Sequence, residues 1–465
     1  MVFSSLTFLF YFLPIFLLCY FSAERRVTRN LVLLVFSLFF YAWGEPAYIF
    51  LMALSIVGNW YFAKALAQAP SFAAKRRWLI LSVVVNLGVL GFFKYLPFAL
   101  HTMAMLFSLS IPYPRYLLDI PLPVGISFYT FQAMSYVIDV YRGRFPPERS
   151  VFDLGTYIVM FPQLIAGPIV RYEQIKEQLH TDLTTNGDVL NGTLIFIVGL
   201  SFKVLLANPF GADADYVFAL DTTRLSMGLA WLGALSYSFQ IYFDFAGYSL
   251  MAIGLGRVLG FTFPMNFNRP YVSQSITEFW HRWHITLSTW FRDYLYIPLG
   301  GNRISDAVTY RNLLIVFCLC GWWHGAAWSF LIWGLYHGLF LILERALRNT
   351  GINVHPAVRH AYALLVIVVG WVIFRSESLG QVGHFLWAMM GLNDSAAYCA
   401  SEVLTPVYAV VASAAIYFSI LDLDYDSPPL AGRRLLRALV YPAAFVSCVV
   451  YLVVGTHNPF IYFRF

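Results

Sequence analysis

The chain has 465 residues, of which 60% are hydrophobic and only 12% charged. Soluble globular proteins carry about 25% charged residues, so a water-soluble domain is excluded and a polytopic all-α membrane protein is expected. The formal net charge of +6 therefore points to no nucleic-acid partner; the placement of Lys and Arg marks cytoplasmic loops instead.

The opening "MVFSSLTFLFYFLPIFLLCYF" has neither a basic leader region nor an A-x-A site, and reads as a retained first helix. Apolar runs follow near 31–43, 47–66, 78–100, 122–140, 152–170, 193–210, 225–250, 312–343, 359–374, 403–421 and 436–455. With about 20 residues per span, they predict roughly ten to thirteen membrane segments, some re-entrant. The run 312–343 is too long for one span and is predicted to break at Gly321–Gly325. The loops 24–30, 73–78 and 141–150 are basic, 211–221 is acidic, and 424–437 ends basic. Alternation then puts the basic loops in the cytoplasm and both termini outside. It holds only if 152–170, interrupted by "PQLIAGPI", is re-entrant or only partly inserted. Broken backbone at membrane depth needs protein or a wet cavity around it. No internal repeat is evident, and one membrane domain over 1–465 is expected.

The five cysteines (Cys19, Cys318, Cys320, Cys399 and Cys448) form no CxxC and no regular framework. Packing is expected of them, not disulfides or metal ligation.

His324 lies within "FCLCGWWHGAAWSFLIWGLYHGLFLILERAL", one of the most apolar stretches. One reading is a core histidine satisfied by a nearby carbonyl. The other is functional, because ionisable groups inside a membrane usually line a pathway or a reaction site. A neutral buried imidazole can take a proton from a hydroxyl. Gly321 and Gly325 allow the backbone to break and other groups to approach.

Residues 256–311 are basic and aromatic, with Arg257, Arg269, His281, Arg282, His284, Arg292, Arg303 and Arg311 among Trp280, Trp283 and Trp290. Amphipathic helices at the cytoplasmic face are predicted. His281 and His284 fall on one face of a continuous helix. A catalytic zinc site needs three protein ligands and no HExxH occurs, so no metal is expected. The Trp and Arg side chains suit lipid headgroups, or a phosphate-bearing, partly apolar donor such as an acyl-coenzyme A. Asp244 is the one carboxylate in "YSFQIYFDFAGYSLMAIGLG". It can be a helix contact, orient a histidine, or line a passage. Lys203 lies near a helix end, from which it could snorkel, and is read as structural. No G-x-S-x-G elbow or P-loop occurs, so acyl transfer would rest on the histidines.

Seven stretches in order carry a resemblance: 1–16, "LPVGISFYTFQAMSYVIDVYRG" (122–143), "FPQLIAGPI" (161–169), "YFDFAGYSLMAIGLG" (242–256), "FWHRWHITLSTWFRDYLYIPLGGNR" (279–303), "WWHGAAWSFLIWGLYHG" (322–338) and "NPFIYFRF" (458–465). Together they resemble the membrane-bound O-acyltransferase family, in its bacterial branch that acetylates exported polysaccharides of the alginate or cellulose type. The resemblance maps the invariant histidine onto His324 and the second signature histidine onto His284, as catalytic residues. It implies a multi-helix fold with a tunnel through the membrane and a cytoplasmic donor, expected to be acetyl-coenzyme A. It also implies a periplasmic SGNH-type partner and a polysaccharide synthase or export complex, in the bacterial inner membrane.

Asp244, Trp280, Arg282 and Trp323 are expected to bind substrate. The chain departs from the family pattern at Leu250, where a carboxylate is usual, at His281 in place of an arginine, and at Trp322 in place of a leucine. Two alternatives stand beside acetyl transfer: D-alanyl or other acyl transfer to a cell-envelope polymer, and a glycan or lipid transporter without chemistry. Transporters often carry internal repeats.

Overall fold

The structure is a computed structural model and describes residues 1–107, 120–181, 184–348, 354–393, 397–422, 434–455 and 458. Most of the loop 424–437 and, Asn458 apart, the motif 458–465 lie outside the described residues. Among the described residues the fold is helical, with one isolated bridge between Leu225 and Tyr398. Seven described helices are long and apolar enough to cross a membrane, from Arg26–Gly44 to Leu435–Val454. The chain is a multi-pass membrane protein. Phe8–Ser22 and Pro406–Ile420 are shorter apolar helices.

The described chain gathers in two compact units, Met1–Thr193 with Ala252–Pro264, and Leu194–Met251 with Met265–Phe465.

In the first unit the segment 152–170 is broken, as expected. Val151–Val159 is followed by Phe161–Leu164. At 1.5 Å per residue, the longer of the two covers about 13 Å, well short of a bilayer core of about 30 Å. Pro162 in the first turn of the second helix and the extended Met160 (ψ 111°) separate them. The freed backbone is satisfied from within, since Phe161 N donates to Ser37 Oγ (3.1 Å) and Gln163 Nε2 donates to Tyr157 O. Phe161 is clasped by Phe12, Phe16 and Phe40.

The second unit holds the run 312–343, which breaks where the sequence predicts. Asp306–His324 ends and Trp328–Leu347 runs back against it. Glycines set this hairpin. A Cβ at Gly321 would lie 2.2 Å from Phe330 O, and one at Gly334 would lie 2.1 Å from Phe317 O. Only bare backbone allows that approach, the usual device for helix pairs in lipid. The hairpin has two distinct ends. Arg345 pairs with Asp306 (3.1 Å) at one, and His324 lies at the other. The helix of 19 residues between them sets these ends about 27 Å apart.

A second glycine crossing places a charge pair. A Cβ at Gly199 would meet Gly247 O at 2.5 Å, and one at Gly247 would meet Gly199 O at 2.7 Å. One turn along, Lys203 sits in the π-helical turn Phe202–Ala207 and reaches Asp244 at 2.9 Å. Both are buried, so Lys203 does not snorkel; the close crossing gives its ammonium a carboxylate inside the protein.

Candidate active site

His284 is presented by a strained turn. The helix Ile276–Arg282 stops at the extended Trp283 (φ −101°, ψ 130°), and His284 takes the left-handed conformation (φ 42°, ψ 54°) before Ile285–Phe291 begins. Such a conformation costs a non-glycine residue about 1–3 kcal/mol and persists only when its surroundings impose it. Here a neighbouring segment does so. Asn268 N donates to Arg282 O (2.9 Å), and Ile285 N donates to Asn266 O (2.9 Å). His281 and His284 therefore do not share a helical face. The helix breaks between them, His281 stays exposed, and His284 turns inward.

The His284 ring is fixed on several sides. Phe245 packs edge-on at 4.6 Å and Trp323 lies at 6.1 Å between centroids. Nδ1 stands 3.0 Å from Asn266 Oδ1, and Nε2 has no hydrogen-bond partner among the described residues. His284 lies outside the seven long apolar helices. Burial, and after it the neighbouring His324, holds its imidazole well below the ordinary histidine range, so the ring is neutral.

His324 is the last residue of its helix, and Gly325 leaves in extended conformation. Its ring packs against Trp323 (4.9 Å), Trp333 (5.2 Å) and Phe374 (5.2 Å). Trp323 thus adjoins both imidazoles. Gly325 has no room for a side chain, because a Cβ there would overlap the Phe330 ring at 2.1 Å. Phe330 and Phe374 also line a cavity of about 380 Å³ with Tyr237, Ser329, Arg375 and Glu377.

The other expected residues divide. Trp280 belongs to the same aromatic body, 5.6 Å from Trp333. It is buried, like Trp283 and Trp290, so these rings pack the interior and do not face headgroups. Arg282 stands at the edge, donating to Glu278 Oε1 (2.9 Å) and Asn268 O (3.2 Å). Asp244 is engaged by Lys203 at 2.9 Å. Leu250 is buried, and the adjacent Ser249 is the residue that reaches the site, through Asn266 (3.0 Å). Asn266, Ser249, Trp333 and His337 were not singled out by the sequence. For Asn266 the available signal was an amide between Met265 and Phe267, which many structural asparagines share.

The model of the membrane-bound O-acyltransferase family matches residues 149–374, a span that contains both histidines. Over the full length of both chains this protein is 41% identical to the probable alginate O-acetylase AlgI of Pseudomonas putida. The chain belongs to the membrane-bound O-acyltransferase family. It is also 38% identical to the peptidoglycan O-acetyltransferase of Helicobacter pylori, over 84% of this chain and 80% of that one. To the teichoic acid D-alanyltransferase of Streptococcus thermophilus it is 30% identical, over 48% of this chain and 57% of that one. Family membership makes this chain an O-acyltransferase, and His284 and His324 both fall inside the matched region.

Proposed function

We propose that this protein is a membrane O-acetyltransferase acting on an exported polysaccharide, with His324 and His284 as its catalytic pair. The single observation that supports the pairing most is Trp323, whose ring adjoins both buried imidazoles although they arise from segments 40 residues apart. Relatives named as acetylases of alginate and peptidoglycan support the acetyl group and the polymer class.

The reaction is an exchange of one acyl bond for another. A hydroxyl oxygen attacks the carbonyl carbon of an acetyl thioester, and its proton passes to His324. The C–S bond breaks, and the leaving thiolate takes that proton back. An ester and a thiol result, and the histidine is restored. Aromatic walls of Trp323, Trp333 and Phe374 exclude water, which would otherwise hydrolyse the thioester.

Direction across the membrane follows from the hairpin. The end with Arg345, Arg311 and Arg303 is basic and is assigned to the cytoplasm, where acetyl-coenzyme A is the donor. Trp280 and Arg282 lie on the donor's side. The cavity at Phe330 and Phe374 then serves the acceptor, delivered by a periplasmic partner of SGNH type in a polysaccharide synthase or export complex. On this reading the protein is a bacterial inner-membrane protein with both termini outside, which the basic loops support. Acetyl content of the secreted polymer in a strain carrying His284→Ala or His324→Ala tests the proposal. Normal acetylation with normally abundant protein would refute it.

A further inference from the structure

The His284 ring is held by an amide whose own orientation is fixed. Thr286 N–H can only donate, and it points at one terminal atom of Asn266 (3.3 Å). That atom is therefore the oxygen, Oδ1, and it also receives the Thr286 hydroxyl (2.8 Å). The other terminal atom, Nδ2, donates to Ser249 Oγ (3.0 Å). An oxygen of this kind accepts and cannot donate. The ring nitrogen facing it, Nδ1 at 3.0 Å, must accordingly carry the hydrogen. In a neutral imidazole the second nitrogen is then a bare lone pair. That nitrogen, Nε2, is buried and without a partner among the described residues.

We propose that Asn266 is a positioning residue that locks His284 as the Nδ1–H tautomer, so that His284 offers the site a proton acceptor and not a hydrogen-bond donor. This rests on the reading of His284 as part of the active pair, and it specifies its role. A second histidine beside a transferred acyl group could instead stabilise the donor carbonyl by donating a hydrogen bond. A neutral ring in this tautomer has no hydrogen to give a developing oxyanion. It can accept one, from an N–H or O–H of a substrate. The substrate group that meets His284 is therefore a donor, such as an amide N–H of the acyl carrier or the attacking hydroxyl. Ser249 and Thr286 complete the device, because they prevent the Asn266 amide from rotating. His324 is the titratable group that acts electrostatically on His284. On the helix that carries Phe245, the Asp244 carboxylate is compensated by Lys203 from another helix.

The tautomer is directly readable. The full chain, labelled with 15N-histidine and purified in detergent, is examined by NMR near neutral pH. The His284 signals are assigned by their loss in His284→Gln. Expected are a pyrrole-type Nδ1 and a pyridine-type Nε2, as one tautomer. Asn266→Ala should give a tautomer mixture and lower polymer acetylation by about 10–100-fold, the usual cost of losing such a supporting partner. Asn266→Asp keeps an acceptor at Nδ1, and should restore the single tautomer and hold acetylation above the Asn266→Ala level. A pyridine-type Nδ1 in the wild type would overturn the inference even if neither Asn266 variant folded. So would an unchanged single tautomer in Asn266→Ala. Failure of the catalytic reading is separate: His284→Ala would leave the polymer acetylated while the wild-type tautomer stood as inferred.

Discussion

Lys203 and Asp244 form an ion pair 2.9 Å apart with both side chains about 1% exposed. Their helices cross on Gly199 and Gly247, where backbone meets backbone. In lipid or protein interior, each charge alone would be very costly, and the pair exists because each cancels the other. Asp244→Asn takes the negative charge away from the buried Lys203 ammonium. A loss of roughly 3–5 kcal/mol is expected for removing one partner of a buried pair, seen as low abundance in the membrane and a depressed unfolding temperature. The double replacement Lys203→Met with Asp244→Leu should recover most of it. If Asp244→Asn were fully stable and only inactive, the carboxylate would belong to the reaction and not to the scaffold.

The His324 hairpin depends on two glycines that face each other. Gly334→Ala drives a methyl into Phe317 O, a backbone atom that cannot rotate away. A destabilisation of about 1–3 kcal/mol is expected from such overpacking, with acetylation falling because His324 sits at the end of the same hairpin. Gly58→Ala, where a Cβ meets nothing within 4 Å, is the control and should be silent in both thermal unfolding and acetylation.

Glu344 anchors the segment that carries His284. Its carboxylate accepts from Ile276 N (2.5 Å), Thr277 N (2.9 Å) and Thr277 Oγ1 (2.6 Å), and from the Tyr362 hydroxyl (3.2 Å). It caps the helix Ile276–Arg282 from a neighbouring helix, and the negative charge suits that helix's N-terminus. Glu344→Ala should cost about 0.5–2 kcal/mol, as loss of a cap does. Glu344→Gln should cost less. Equal unfolding temperatures for Glu344→Ala and the wild type would show that Ser275, whose Oγ accepts from Glu278 N (2.9 Å), caps this helix unaided.

Orientation can be read from the two ends of the hairpin. Cysteines placed at the exposed positions Asn302 and Glu377 lie near its basic and its His324 end respectively. In cells, a membrane-impermeant thiol reagent applied from outside should modify Glu377→Cys and spare Asn302→Cys until the membrane is opened. The reverse pattern would invert the assignment of donor and acceptor sides.

Much of this architecture is legible in the residues themselves. The break at Gly321–Gly325 follows from a span too long for one crossing, and the break after Val159 follows from Pro162 and the charge alternation. His324 stands out because a polar ring in an apolar run needs a reason. Other features depend on partners distant in sequence. Lys203 looks like a snorkelling lysine until Gly199 and Gly247 bring Asp244 to it. His281 and His284 look like one helical face, since nothing in "WHRWHI" signals the stop. The stop is imposed by backbone bonds with Asn266 and Asn268, 19 and 14 residues away. Asn266 itself is invisible for the same reason: its value lies in which atoms surround it.

The central claim is that His324 accepts the hydroxyl proton in a site closed to water. The most direct measurement is the acetyl content of the secreted polymer in cells carrying His324→Ala, normalised to the amount of the variant in the membrane. Removing a general base costs about 10²–10⁴-fold, so acetylation should fall to background while the protein remains inserted and folded. Full acetylation by a normally abundant His324→Ala protein would contradict the account, and His324 would then be a packed histidine among Trp323, Trp333 and Phe374 with no part in the transfer.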